Sequence, residues 1–228
     1  GRCHRHPRHG RRQARREEHR RGTEQIIFVS ESAQKRTSAR FLNTISHEGR
    51  TIMNLWHDIA PARVRPEDFF AVIEIEKGSK NKYEMDKETG ALRLDRILYT
   101  STHYPANYGF IPRTWADDGD PLDVLVLCSE CIRPLSLVEC YPIGVISMED
   151  SGSLDEKIIA IPFQDPTYNT YQDISELPNH VASEIRHFFR VYKSLEGKET
   201  VVSDVLGREE AIKIIIKCQN AYIEKYCR

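Results

Sequence analysis

From Phe69 onward the chain is a succession of short apolar runs separated by turn residues, and helical periodicity comes late. That ordering constrains the fold more than any other feature. Phe69 to Ile75 reads as a strand, and Lys77-Gly78-Ser79-Lys80-Asn81 as a turn. Lys82 to Met85 is a second strand. Ala91 to Tyr99 is a third, on which alternation puts Leu92, Leu94, Arg96 and Leu98 on one face. Asp123 to Cys128, Leu137 to Met148 and Lys157 to Pro162 are further strands. Val181, Ile185, Phe188, Phe189 and Tyr192 then recur at helical spacing behind Leu177-Pro178, and Glu209 to Tyr226 is a second helix. Many short strands followed by two helices predict an α+β fold around a small barrel or curled sheet.

At 228 residues and 39% hydrophobic, the chain can bury one large core or two small ones. It has no apolar run of membrane-spanning length, so no membrane association is expected. Six scattered cysteines do not read as a disulfide scaffold and point to a reducing compartment. The net charge of −1 hides two unlike pieces: residues 1–22 carry nine arginines against Glu17 and Glu18, and the remainder is net −8. We read residues 1–55 as a basic, largely disordered N-terminal tail and residues 56–228 as the folded domain. An acidic body argues against nucleic acid as a required partner and fits a protein that concentrates cations.

The sharpest chemistry lies in Asp117-Asp118-Gly119-Asp120-Pro121-Leu122-Asp123, four carboxylates within seven residues. Like charges this close raise one another's proton affinity unless a cation compensates, and oxygen-only clusters suit hard cations such as Mg²⁺ or Ca²⁺. The spacing is not that of an EF-hand, because Asp123 stands where that loop needs glycine. Asp150 and Asp155 flank Ser151-Gly152-Ser153, with Lys157 just beyond. Arg96 on an apolar face is costly unless it is paired, with Glu74 and Glu84 as the candidate partners, or points into a polar site. Lys82 and Glu84 share a strand face, Tyr104 and Tyr108 flank Pro105-Ala106-Asn107, and Tyr192-Lys193 ends the first helix. Each feature alone has an ordinary explanation as a solvated turn, a hairpin loop, an ion pair or a core tyrosine. Taken together, the carboxylates can hold several Mg²⁺ ions while the cations and hydroxyls grip phosphate oxygens, the two-metal arrangement for phosphoanhydride hydrolysis.

At this point the residues resemble the family I soluble inorganic pyrophosphatases. The signature D-x-D-P-x-D stands here as Asp118 to Asp123, and KNKYEMD (Lys80 to Asp86), Asp95-Arg96, YPANYGFIP (Tyr104 to Pro112), IIAIP (Ile158 to Pro162) and HFFRVYK (His187 to Lys193) match as well. The likeness runs from about Trp56 to the C-terminus, and its wording is most similar to the plant branch. It implies a small OB-like five-stranded β-barrel with flanking strands and two main C-terminal helices, and Mg²⁺-dependent hydrolysis of pyrophosphate to two orthophosphates. It also implies roles. Asp118, Asp123 and Asp155 resemble the ligands of the central metal, Asp150 a ligand of a further metal, and Glu74 an accessory metal carboxylate. Asp120 resembles the general base. Lys82, Arg96, Lys157, Tyr192 and Lys193 resemble the groups that grip pyrophosphate, with Tyr108 beside them and Glu84 pairing with site lysines. Tyr104 resembles a position sometimes assigned as proton donor. The sequence departs from many relatives at Ser151 and across Leu135 to Cys140, the latter implying a changed turn.

Other readings are weaker. Cys128-Ser129-Glu130-Cys131 has no second pair at zinc spacing and is followed by Arg133-Pro134 rather than a helix start, so two incidental thiols are expected. An OB-like nucleic-acid module would carry basic and aromatic residues where this chain carries acids. A nucleotide hydrolase would need a base or ribose pocket, of which the sequence has no sign. The expected compartment is the cytoplasm, with a plastid or mitochondrion as the alternative if the tail is a transit segment. Relatives span several oligomeric states, and a homo-oligomer is compatible with the resemblance.

Overall fold

The computed structural model describes residues 53–150, 152–198 and 200–227. The basic tail read from the sequence falls almost wholly on residues 1–52, outside the described residues. After a single turn of 3-10 helix at Pro61–Arg63 come β1 (Val64–Arg65), β2 (Asp68–Ile75), β3 (Asn81–Met85), β4 (Leu92–Ile97), β5 (Asn107–Phe110) and β6 (Asp123–Val126). Then follow β7 (Leu137–Asp150), β8 (Ser153–Pro162), α1 (Asn179–Val191), β9 (Thr200–Gly207) and α2 (Arg208–Tyr226).

The main sheet runs β1-β2-β5-β6-β8-β7-β9, and β2 also pairs with β7. That extra ladder, Phe69↔Cys140 to Val72↔Leu137, closes β2, β5, β6, β8 and β7 into a five-stranded ring. The expected OB-like barrel is therefore present, with β1 and β9 as flanking strands. Four of its junctions are antiparallel; β6 and β8 run parallel, with Asp123 opposite Lys157.

Both faces of the barrel strands are buried, which is why they read as unbroken apolar runs rather than alternating ones. Leu125, Ile159 and Ile161 join one cluster with Ile185, Phe188 and Phe189 of α1. Val124, Ile158 and Ala160 join another with Ala211, Ile214 and Ile215 of α2. Fully burying one such aliphatic or aromatic side chain contributes roughly 1.5–3 kcal/mol. Gly109 of β5 has a geometric reason: a Cβ there would lie 1.8 Å from the Val72 carbonyl oxygen across the ladder.

The third expected strand, β4, departs from its reading. It is not a barrel wall; it pairs with β3 alone in a two-stranded sheet. A register shift between Lys82 and Tyr83 skips Asp95, a bulge that breaks the period-two alternation. Leu94 is half-exposed, so Leu92, Leu94, Arg96 and Leu98 do not form one buried face. In the turn before β7, Leu135 takes a left-handed φ of 66° and donates its N–H to the Ile73 carbonyl at 2.7 Å.

Candidate active site

One cavity of about 570 Å³ opens between the barrel, the β3–β4 hairpin and the end of α1. Its barrel wall begins at the parallel pair. Asp123 starts β6 opposite Lys157 of β8, and Asp155 lies two residues before Lys157. The Lys157 ammonium donates to Asp123 Oδ2 at 2.6 Å, to Asp155 Oδ1 at 2.7 Å and to the Tyr108 hydroxyl at 3.0 Å. Tyr108 in turn donates to Asp123. The Lys157 side chain is only 3% exposed. Burial alone would lower its pKa, but the flanking Asp123 and Asp155 charges overcome that and hold it well above the ordinary lysine value. Asp155 is raised by burial despite Lys157 beside it.

The acidic loop forms the next wall. Thr114 braces it by donating to the Ile111 carbonyl and accepting from the Leu122 N–H, and Gly119 supplies a left-handed residue at φ 84°. Asp118 accepts from the Asp120 N–H at 3.0 Å. Burial, followed by the charges of Asp123, Asp155 and Asp120, raises Asp118 to about 6. Asp117 is the member of the cluster that leaves the cavity: it pairs with Lys217 on α2 at 2.8 Å.

Glu74, 8% exposed near the end of β2, accepts from the Met85 N–H at 2.7 Å and so ties the hairpin to the barrel. Burial, then the charges of Asp123 and Glu84, raise it to about 8. On the hairpin, Lys82 pairs with Glu84 and with Asp95 at 3.3 Å, and Arg93 reaches Glu84 at 3.4 Å. Tyr192, just past α1, stacks on Phe188, and Lys193 places its ammonium 5.2 Å from the Tyr192 ring centroid.

Glu74, Lys82, Glu84, Tyr108, Asp118, Asp120, Asp123, Asp155, Lys157, Tyr192 and Lys193 all line this cavity. Three sequence candidates stand differently. Arg96 lies outside the lining, held by Asp95 at 2.6 Å and by Glu196 at 3.0 Å, with its Nη2 buried and without a hydrogen-bond partner. Its partners are neither Glu74 nor Glu84. Tyr104 is 2% exposed, packed against Tyr108 and Phe188 behind the lining, and burial pushes its hydroxyl well above the usual tyrosine value. Asp150 closes β7, its backbone opposite Ser153 and Thr200; its side chain lies outside the described residues.

Several lining residues had no role in the sequence reading, Trp56, Lys87 and Arg93 among them. Trp56 comes from the segment before the barrel, and Lys87 from the β3–β4 turn, where it pairs with Asp120. Lys87-Glu88-Thr89-Gly90, between the second and third expected strands, reads as a turn, but nothing local in the sequence says what that turn faces.

Residues 71–223 match the family model described as inorganic pyrophosphatase. The chain is 50% identical over 176 residues to soluble inorganic pyrophosphatase 2 of Chlamydomonas reinhardtii, covering 77% of this chain and 92% of that protein. It is 46% identical over 189 residues to soluble inorganic pyrophosphatase 1 of Arabidopsis thaliana, covering 83% and 89%. Among solved structures, the Helicobacter pylori inorganic pyrophosphatase superposes with a TM-score of 0.68 at 45% identity, over 70% of this chain and 95% of that one. The Thermus thermophilus enzyme gives 0.69 at 40% identity, over 75% and 99%. Most of the length of each relative is matched, and the algal and plant proteins bear out the plant-like wording of the motifs. The chain belongs to the inorganic pyrophosphatases, enzymes that hydrolyse pyrophosphate.

Proposed function

We propose that the chain hydrolyses inorganic pyrophosphate to two orthophosphates in a Mg²⁺-dependent reaction with Asp120 as general base. The observation that carries this reading is the convergence of Asp118, Asp120, Asp123 and Asp155 on a cavity that also presents Lys82, Lys157 and Lys193. The donor set suits a hard cation in kind: it is all oxygen, and burial, with the neighbouring carboxylate charges behind it, raises the proton affinities of Glu74 and Asp118. Asp118, Asp123 and Asp155 would hold the central ion, Asp150 with Asp155 a further one, and Glu74 would serve as accessory carboxylate. Bound there, Mg²⁺ would acidify water and offset the charge of the substrate.

The residues of the chain do the rest. Lys82, Lys157 and Lys193, with the Tyr108 and Tyr192 hydroxyls, hold the phosphate oxygens, and Arg96 supports them from the hairpin. Glu84 orients Lys82 through their ion pair. Asp120 takes a proton from the water whose oxygen forms the new bond to phosphorus. The bridging P–O bond breaks, and the leaving phosphate departs against the lysines. We assign the protein to the cytoplasm, with a plastid or mitochondrion as the alternative if the basic tail is a transit segment.

The test is phosphate release from pyrophosphate with Mg²⁺ present, then with the ion chelated. Release that stops on chelation and returns on adding Mg²⁺ is expected; equal release under both conditions, or none with Mg²⁺, refutes the proposal.

A further inference from the structure

Lys87 is a cation in the cavity that no catalytic role above uses. It sits in the tight turn between β3 and β4, where Asp86 accepts from the Thr89 N–H and hydroxyl, and Gly90 closes the turn at φ 68°. Its ammonium is ion-paired to Asp120, and both groups are about half-exposed. The same ammonium stands 5.6 Å from the centroid of the Trp56 ring.

The surroundings fix that turn against the acidic loop from two sides. Asn54 donates its side-chain amide to the Lys87 carbonyl at 3.2 Å. Two residues on, the Trp56 indole N–H donates to the Thr114 carbonyl at 2.9 Å, and its ring stacks on Trp115 at 5.7 Å. Trp115 leads directly into the acidic loop, where Ala116 and Asp120 are bonded backbone to backbone at 2.8 Å. The short segment Asn54 to Trp56 therefore bridges the hairpin turn and the loop that carries Asp120. It sets the distance between the Lys87 backbone and the Asp120 carboxylate.

We propose, building on the metal and base reading above, that Lys87 is a positioning residue that acts as the resting counter-ion of Asp120. It holds that carboxylate in the cavity before metal arrives, and its positive charge opposes a cation approaching the neighbouring Asp118 and Asp123. With cations on Asp118, Asp123 and Asp155, the ammonium remains in the cavity wall as a positive charge facing the anionic substrate. Two effects of opposite sign follow from one side chain. Lys87 opposes metal binding in the resting protein and favours pyrophosphate binding in the metal-loaded one. A residue that only props the hairpin would not give that split.

The experiment uses the full-length chain. Mg²⁺ is titrated calorimetrically into the metal-free protein without pyrophosphate, and KM and kcat are then measured at saturating Mg²⁺. Lys87→Met is expected to bind Mg²⁺ about two- to fivefold more tightly, the range set by an exposed ion pair, while KM for pyrophosphate rises. Lys87→Arg, which keeps the charge, is expected to restore both values. Mg²⁺ affinity that is unchanged or weaker in Lys87→Met overturns the proposal, as does weakening of metal and substrate binding together, the mark of a misplaced hairpin. A wild-type chain that does not bind Mg²⁺ at all refutes the carboxylate metal reading itself, and the counter-ion role with it.

Discussion

The cavity has two kinds of wall, and they carry charge differently. On the barrel, Lys157, Asp123 and Asp155 stand on strands held by a continuous ladder, and their side chains are 3%, 25% and 14% exposed. On the hairpin, Lys82, Glu84 and Arg93 are 20%, 40% and 64% exposed, on strands that pair only with each other. A charge in the barrel cannot be rearranged or rehydrated cheaply, so its partner is part of the fold. A charge on the hairpin can exchange partners for a small cost. The barrel suits groups that must keep fixed mutual geometry, and the hairpin suits groups that must close on an anion.

The sharpest way to break this contrast is Lys157→Met. It leaves Asp123 and Asp155 facing each other without their shared counter-ion, and it should destabilise the metal-free protein by about 3–5 kcal/mol in urea unfolding, as well as abolish turnover. Asp120→Asn tests the other extreme. This group is half-exposed on a loop, so unfolding should shift by no more than about 0.5 kcal/mol while phosphate release falls roughly 10²- to 10⁴-fold. Similar stability losses in the two variants would erase the distinction.

Glu74 sits at the seam of the two walls and supplies a pH signature. Its folded-state pKa of about 8 lies above the ordinary glutamate value of 4.5, so between those limits the native state holds a proton that the unfolded chain has released. Its stabilising contribution is full below pH 4.5 and is lost as pH rises through 8. Melting of the metal-free protein should therefore drop from pH 6 to 9, and Glu74→Gln should flatten that slope. An equally steep slope in the variant would assign it to other groups.

Smaller effects belong to the hairpin. Glu196→Gln removes a charged partner of Arg96, and KM for pyrophosphate should rise about tenfold, the equivalent of one charge-assisted hydrogen bond, with melting little changed. A change in kcat alone would place Arg96 elsewhere in the reaction. At the barrel seam, Leu135→Gly should stabilise the fold by about 0.5–1 kcal/mol, because glycine adopts the left-handed backbone without strain.

The same two regions differ in how far the sequence reveals them. Four of the five barrel strands, β2, β6, β7 and β8, carry apolar runs that read as strands, because α1 and α2 cover the faces that would otherwise alternate. β5 was not read as a strand, since it spans four residues and includes Asn107 and Gly109, chosen by close approach rather than by strand propensity. β9 was missed as well; a flanking strand, paired with β7 alone, it carries Ser203, Asp204 and Gly207 among its apolar residues. On the hairpin, alternation gave the wrong face for Leu94 because one bulged residue at Asp95 resets the period, and nothing in the local sequence marks the bulge. The carboxylates of the site were legible because they cluster in the chain. Trp56 and Lys87 were not, since their place depends on a chain crossing that brings residues 33 apart, Lys87 and Asp120, into contact.

The parallel pairing of β6 with β8 has a kinetic consequence. Asp123 and Lys157 are 34 residues apart, and their strands can run side by side only after β7 has returned the chain across the barrel. An ion or substrate that needs groups from both strands finds them only when the ring is closed. Such a ligand has nothing to bind in a partly folded chain, so it should leave the rate of folding unchanged and act by slowing escape from the native state. Its presence would lengthen the lifetime of the enzyme without hastening its birth.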